Sequence, residues 1–308
     1  MNNRVLTKRS KASVKWHEVI LFTVLAYGLS WLYWGPSILP YLGQVLTSMK
    51  VPENLDITVG PFGVVYGMFG PMIAAIIMRL CVSKGGLKGS LGIWRAEKYY
   101  LIALITPPLF CGSVLLFNHL TGLGRFVWSL SMPLWWAYLL QWSAGVIPYF
   151  AFGEEYGWRG YLLPRLLPLG EVKASIIVGF IWAFWHLPGL VVGLNFPGQN
   201  LLSIVLTFTF FVVLLSFPFT WLYITSRGSV LIAAILHNTF NNYADTFMIP
   251  RFIPHGNPLI VSGAGLIAAV FLLIIVVVVY RVFKRSPNVK NVKHLSPQPD
   301  GAWRDWLL

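Results

Sequence analysis

The chain has 308 residues, 56% of them hydrophobic and 11% charged, against roughly 25% charged in an average soluble domain, and its mean hydropathy is +0.68. These values exclude a soluble globular enzyme and point to an all-α, polytopic integral membrane protein. The net charge of +13 does not mark a nucleic-acid partner, because the basic residues fall between apolar runs and form no helix-turn-helix or aromatic-basic module.

Eight apolar stretches of spanning length are predicted, given that about 20 residues cross a roughly 30 Å hydrocarbon core. Basic residues from Arg4 to Lys15 precede the first, Val19 to Tyr41, which is too long for a signal h-region and is expected to remain as an anchor. The second, Pro61 to Val82, opens with Gly60, Gly63, Gly67 and Gly70, small residues that allow close helix packing. Leu87, Leu91 and Trp94, interleaved with basic residues, predict a stretch lying on the membrane surface. Two spans follow, Tyr99 to Leu120 and Met132 to Gly157, and Tyr161 to Glu171 reads as an interfacial connection. The remaining spans are Ala174 to Leu194, Leu201 to Thr225, Ser229 to Ile249 and Pro258 to Phe283, with kinks expected at Pro188 and Pro218. Two cysteines, Cys81 and Cys111, form no CxxC and give no disulfide framework.

The predicted organisation is a basic N-terminal segment (1–18), N-terminal transmembrane helices (19–131), a catalytic helical core (132–250), a last transmembrane helix (251–283) and a polar tail (284–308). With eight spans, 20 of the 23 Lys and Arg residues fall on the side that holds both termini. By the positive-inside rule that side is cytoplasmic, in the cell membrane.

Polar residues that carry chemistry cluster on three spans. Phe152 to Gly160 reads FGEEYGWRG, and charged side chains at membrane depth are costly enough to suggest function first. On a helix Glu155 and Arg159 are i and i+4 and can pair, leaving Glu154 on another face. His186 ends WAFWH on the fifth span, while His237 and Asn241 share a face of the seventh. Their estimated depths place all four in one cavity open toward the cytoplasmic half. A single intramembrane histidine is more often a structural hydrogen-bonding group, but the set together favours a site. These residue types suit hydrolysis: a carboxylate takes a proton from water and a His/Asn pair stabilises the oxyanion. Alternatively, Glu154, His186 and His237 are candidate ligands for a divalent metal such as zinc, with bound water as nucleophile. There is no HExxH, so no zincin site is present.

The three motifs, Glu154-Glu155-xxx-Arg159, Trp182 to His186 and His237-xxx-Asn241, resemble the type II CAAX prenyl endopeptidases and their bacterial Abi-type relatives, the CPBP intramembrane proteases. The resemblance covers about Met132 to Asp245. It implies Glu154 as the catalytic glutamate activating water with His186, His237 and Asn241 at the water site or oxyanion hole, and structural roles for Glu155 and Arg159. One departure is Trp182, where the family usually has phenylalanine. The leading expectation is an endopeptidase, of glutamate or metallo type, that cuts a peptide or protein substrate near the cytoplasmic membrane face. A catalytically silent scaffold or bacteriocin-immunity factor of the same family is the alternative, and a proton-relay transporter a third reading.

Overall fold

The computed structural model describes residues 13–53, 66–88, 90, 98–124, 149–193, 195–247 and 256–283, and among them the regular structure is helical apart from one isolated bridge, Lys50 to Asn200. In chain order the principal helices are α1 (Trp16–Ser48), α2 (Gly70–Ile77), α3 (Lys98–Leu120), α4 (Tyr149–Gly157), α5 (Glu171–Trp185), α6 (Leu187–Val191), α7 (Leu201–Thr225), α8 (Val230–Asn241) and α9 (Leu266–Phe283). The surface stretch expected around Leu91 and Trp94, Gly60 and Gly63 of the glycine face, and most of the span from Met132 lie outside the described residues.

Four helices among the described residues are long and apolar enough to cross a membrane: Trp16–Ser48, Lys98–Leu120, Leu201–Thr225 and Pro258–Arg281. They coincide with the predicted first, third, sixth and eighth spans. Alpha7 is apolar on every face, as expected of a helix with protein or lipid all round it. It starts sharply because Asn200 caps it, accepting from the Ser203 N–H at 3.2 Å,. It continues through Pro218.

The interior helices are shorter, and their interruptions fall beside the polar residues. Alpha5 stops at Trp185. Pro188 has no N–H, and its ring would strike the Phe184 carbonyl if the helix continued, so Pro188 enters the first turn of α6 instead,. The predicted kink is therefore a break. Alpha4 passes into a π turn, Trp158–Leu162, then a short helical segment, Leu163–Leu166. Further π turns, Met78–Val82 and Asn242–Phe247, follow α2 and α8. Such turns are rare and often adjoin functional sites.

The run after Gly157 is more buried than a surface connection would be. Tyr161, Leu162, Leu163 and Leu166 are completely buried, so this segment, expected as an interfacial connection, packs against the core beside the start of α1. Pro164 and Arg165 suggested an interface, but Pro164 sits at a helix start and Arg165 donates to Glu18 of α1 at 2.7 Å. Arg79 likewise turns inward and donates to the Gly160 carbonyl at 2.6 Å.

Glycine permits the close approaches that hold α4 in place. A Cβ on Gly153 would lie 3.0 Å from the Met68 carbonyl oxygen, and one on Gly157 2.7 Å from that of Pro71. Gly67 and Gly70 of the predicted glycine face are pressed in the same way against Trp34 and Ser30 of α1.

Candidate active site

Glu154, His186, His237 and Asn241 all line one cavity of about 390 Å³, together with Trp34, Trp182, Phe208 and Phe211 among others. Glu154 is 1% exposed and His237 3%. The structure thus brings together the four residues singled out in the sequence, from α4, the α5–α6 break and α8.

Each histidine is held by a different local device. At the end of α5 the His186 N–H bonds to the Ala183 carbonyl at 3.1 Å, which leaves the Trp182 carbonyl without its usual i+4 donor. The His186 ring fills that vacancy, with Nδ1 2.8 Å from the Trp182 oxygen. A carbonyl can only accept, so Nδ1 carries the proton and Nε2 keeps its lone pair in the neutral ring. His237 Nδ1 lies 2.9 Å from Glu155 Oε1, and the same reasoning leaves its Nε2 as the second ring nitrogen available for chemistry. Asn241, one turn beyond His237, ends α8.

Beneath the cavity, Arg159 and Glu155 pair at 2.8 Å with both side chains completely buried. Arg159 lies over two rings, 4.2 Å from the Trp182 centroid and 4.3 Å from that of Phe219. Glu155 therefore joins a cation on its own helix to a histidine on α8. The sequence showed the first partner through i, i+4 spacing, while the second depends on packing across 82 positions.

Trp182 has the role that sequence reasoning missed. Its indole Nε1 donates to Glu154 Oε2 at 2.9 Å, its carbonyl holds His186, and its ring meets His237 edge-on with centroids 5.2 Å apart. The residue had been noted only as a bulky aromatic. Its N–H was the available signal, since a buried indole usually finds an acceptor.

Among the described residues no group of three His, Cys, Asp and Glu side chains could hold a metal ion as arranged. Glu154, His186 and His237 line the same cavity but do not fit a ligand set, and the chemistry derived below runs through the side chains alone.

The cavity also differs in height from the sequence expectation. Glu154 is followed by 12 helical residues to Leu166, so at about 1.5 Å per residue it stands roughly 18 Å from that end of the bundle rather than near it. The cavity extends from this level away from the starts of α5 and α8, reaching Gly189, Val192 and Asn195.

Helices of membrane-spanning length around a buried glutamate and two oriented histidines define the class, an all-helical membrane protein with a polar internal site. Residues 133–243, which hold that site, match the family model described as type II CAAX prenyl endopeptidase Rce1-like. Over 92 residues the chain is 30% identical to a CAAX prenyl protease 2 of Methanococcus maripaludis, covering 29% of this chain and 34% of that protein. The chain thus spans about a third of the length of the curated relative it matches. Both comparisons bear out the resemblance read from the three motifs.

Proposed function

We propose that this protein is an intramembrane endopeptidase in which Glu154 is the general base and His186 helps to hold the attacking water. The observation carrying this reading is the convergence of Glu154, His186, His237 and Asn241 on one cavity. Glu154 takes a proton from water as the oxygen bonds to the scissile carbonyl carbon. The carbonyl π electrons move to oxygen, and the Asn241 side-chain amide stabilises that oxyanion. Collapse of the tetrahedral intermediate breaks the C–N bond, and the proton held by Glu154 passes to the leaving amine. His237 Nε2 faces the same space and can share the water. Glu155 fixes that ring from behind and stays paired with Arg159, which keeps a second buried carboxylate out of the reaction.

The eight-span topology, residence in the cell membrane and cytoplasmic termini belong to the same proposal. They are supported by the four long apolar helices and by the distribution of basic residues in the sequence.

The test is cleavage of a peptide library by the reconstituted protein. Glu154→Gln should abolish cleavage while leaving a folded protein. Adding His186→Ala should then cost little more, because groups that act as a unit are non-additive. Near-normal cleavage by Glu154→Gln would overturn the mechanism. Retained binding of a membrane partner with no cleavage by the wild type would favour the scaffold alternative.

A further inference from the structure

A second cavity, of about 560 Å³, shares a wall with the catalytic one, since Leu215 and Phe240 line both. Its sides come from α3, α7, α8 and α9, and α3, α7 and α9 belong to helices long and apolar enough to cross a membrane. At its floor Phe110, Phe219, Leu222 and Phe240 are buried, whereas Leu109 and Ile274 on its two rims are 64% and 58% exposed. The cavity is therefore a groove that opens sideways between α3 and α9. Its hydroxyl groups are satisfied within their own helix: Thr106 donates to the Ile102 carbonyl at 2.7 Å and Ser113 to that of Leu109 at 2.8 Å.

One end of this groove is aromatic and basic. Helix α3 runs antiparallel to α7 and α9: Tyr99 at its start meets Trp221 near the finish of α7, with ring centroids 6.1 Å apart, and Phe117 near its finish meets Phe271 near the start of α9 at 5.6 Å. The lining runs from Ser113 to Ile102 on α3 and from Phe271 to Val279 on α9, roughly 17 and 12 Å at about 1.5 Å per residue. That is about half of a roughly 30 Å hydrocarbon core, the depth of one leaflet. At the end set by Ile102 and Val279 stand two exposed cations, Lys98 one turn before Ile102 and Arg281 two residues beyond Val279. Lys284 and Arg285 follow in the sequence. Lys98 Nζ lies 5.1 Å from the Tyr99 centroid. Tyr and Trp beside basic residues at a helix end mark the level where hydrocarbon gives way to headgroups.

We propose that this groove binds one acyl chain of an anionic phospholipid, with the headgroup phosphate facing Lys98 and Arg281. A groove whose hydroxyls are already bonded selects hydrocarbon, and left unfilled its lining would lose dispersion contacts. Charge then selects among lipids, because basic residues at the bilayer surface favour anionic headgroups. The chain lies against Phe219 and Phe240. On its other side Phe219 packs edge-on against Trp182 and His237, with centroids 5.5 and 5.8 Å away, so the bound lipid completes the wall behind the catalytic cavity. It is a structural ligand and not a substrate, and its binding does not rest on the peptidase reading.

The experiment uses the full chain purified in detergent, with phosphatidylglycerol carrying a mid-chain diazirine as the probe and peptide mapping as the readout. Photolabel should concentrate on the α3 and α9 stretches that hold Thr106 and Ile274, well above Leu32 of α1, which is 80% exposed and reports unselective contact. Each cation at the bilayer surface is expected to favour the anionic lipid about fivefold, so unlabelled phosphatidylglycerol should compete about 25-fold better than phosphatidylcholine of the same chain length. The double variant Lys98→Gln/Arg281→Gln should bring the two competitors level while the groove still labels. Thr106→Trp, which fills the groove from its rim, should remove the label at Ile274 and leave that at Leu32, with thermal unfolding unchanged. Label spread evenly over α1, α3 and α9, or no label in the groove, overturns the proposal. So does equal competition by phosphatidylcholine in the wild type, or groove labelling that survives Thr106→Trp.

Discussion

Trp182→Phe is the sharpest probe of the site, because it removes one hydrogen bond and little else. The indole N–H donates to Glu154 at 2.9 Å, while the phenyl ring of the variant keeps an aromatic face toward Arg159, now 4.2 Å from the Trp182 centroid, and an edge toward His237. The backbone carbonyl that holds His186 is unchanged. A hydrogen bond to a charged group contributes about 1.5–3 kcal/mol. If about half of the lower value acts on the position of the carboxylate in the transition state, kcat falls about three- to fourfold, and if all of the upper value does, on the order of a hundredfold. Trp182 is a positioning residue acting through Glu154, so the loss should appear in kcat with KM nearly constant. The assay is steady-state cleavage by wild type and variant in the same lipid, with thermal unfolding as a control. An unchanged kcat in a folded variant would refute the idea that this bond prepares Glu154. A rise in KM with constant kcat would instead make Trp182 part of the substrate pocket.

The remaining predictions concern the support beneath the site and the metal question. Glu155→Ala and Arg159→Ala should each destabilise the protein by about 3–5 kcal/mol, because each strands a buried charge. The double variant should be milder than the sum, and strict additivity in unfolding measurements would argue against the pair. Gly157→Ala should cost about 1–3 kcal/mol by overpacking, since its Cβ would lie 2.7 Å from the Pro71 carbonyl oxygen. A wild-type melting temperature would show that α2 yields easily. Exhaustive chelation should leave cleavage intact under the glutamate mechanism. Loss of activity that zinc restores, together with loss of bound metal in His237→Ala, would replace it with a metal mechanism.

What could be read in the sequence was what depends on local spacing. The i, i+4 rule anticipated the Glu155–Arg159 pair, now seen at 2.8 Å, and the shared face of His237 and Asn241. Hydropathy anticipated the four long helices, where a continuous apolar run is enough to set the element. It was weakest for the interior segments, because a helix that buries polar groups against its neighbours need not be long or uniformly apolar. There the boundaries are set by tertiary partners: Glu18 compensates Arg165 at 2.7 Å, so a proline- and arginine-bearing stretch packs inside rather than lying at an interface. The hydrogen bonds from Trp182 to Glu154 and from His237 to Glu155 were out of reach for a related reason. Each joins residues on different helices, and only the glycine-mediated approach of α4 to α2 and the break at His186 bring those helices into register.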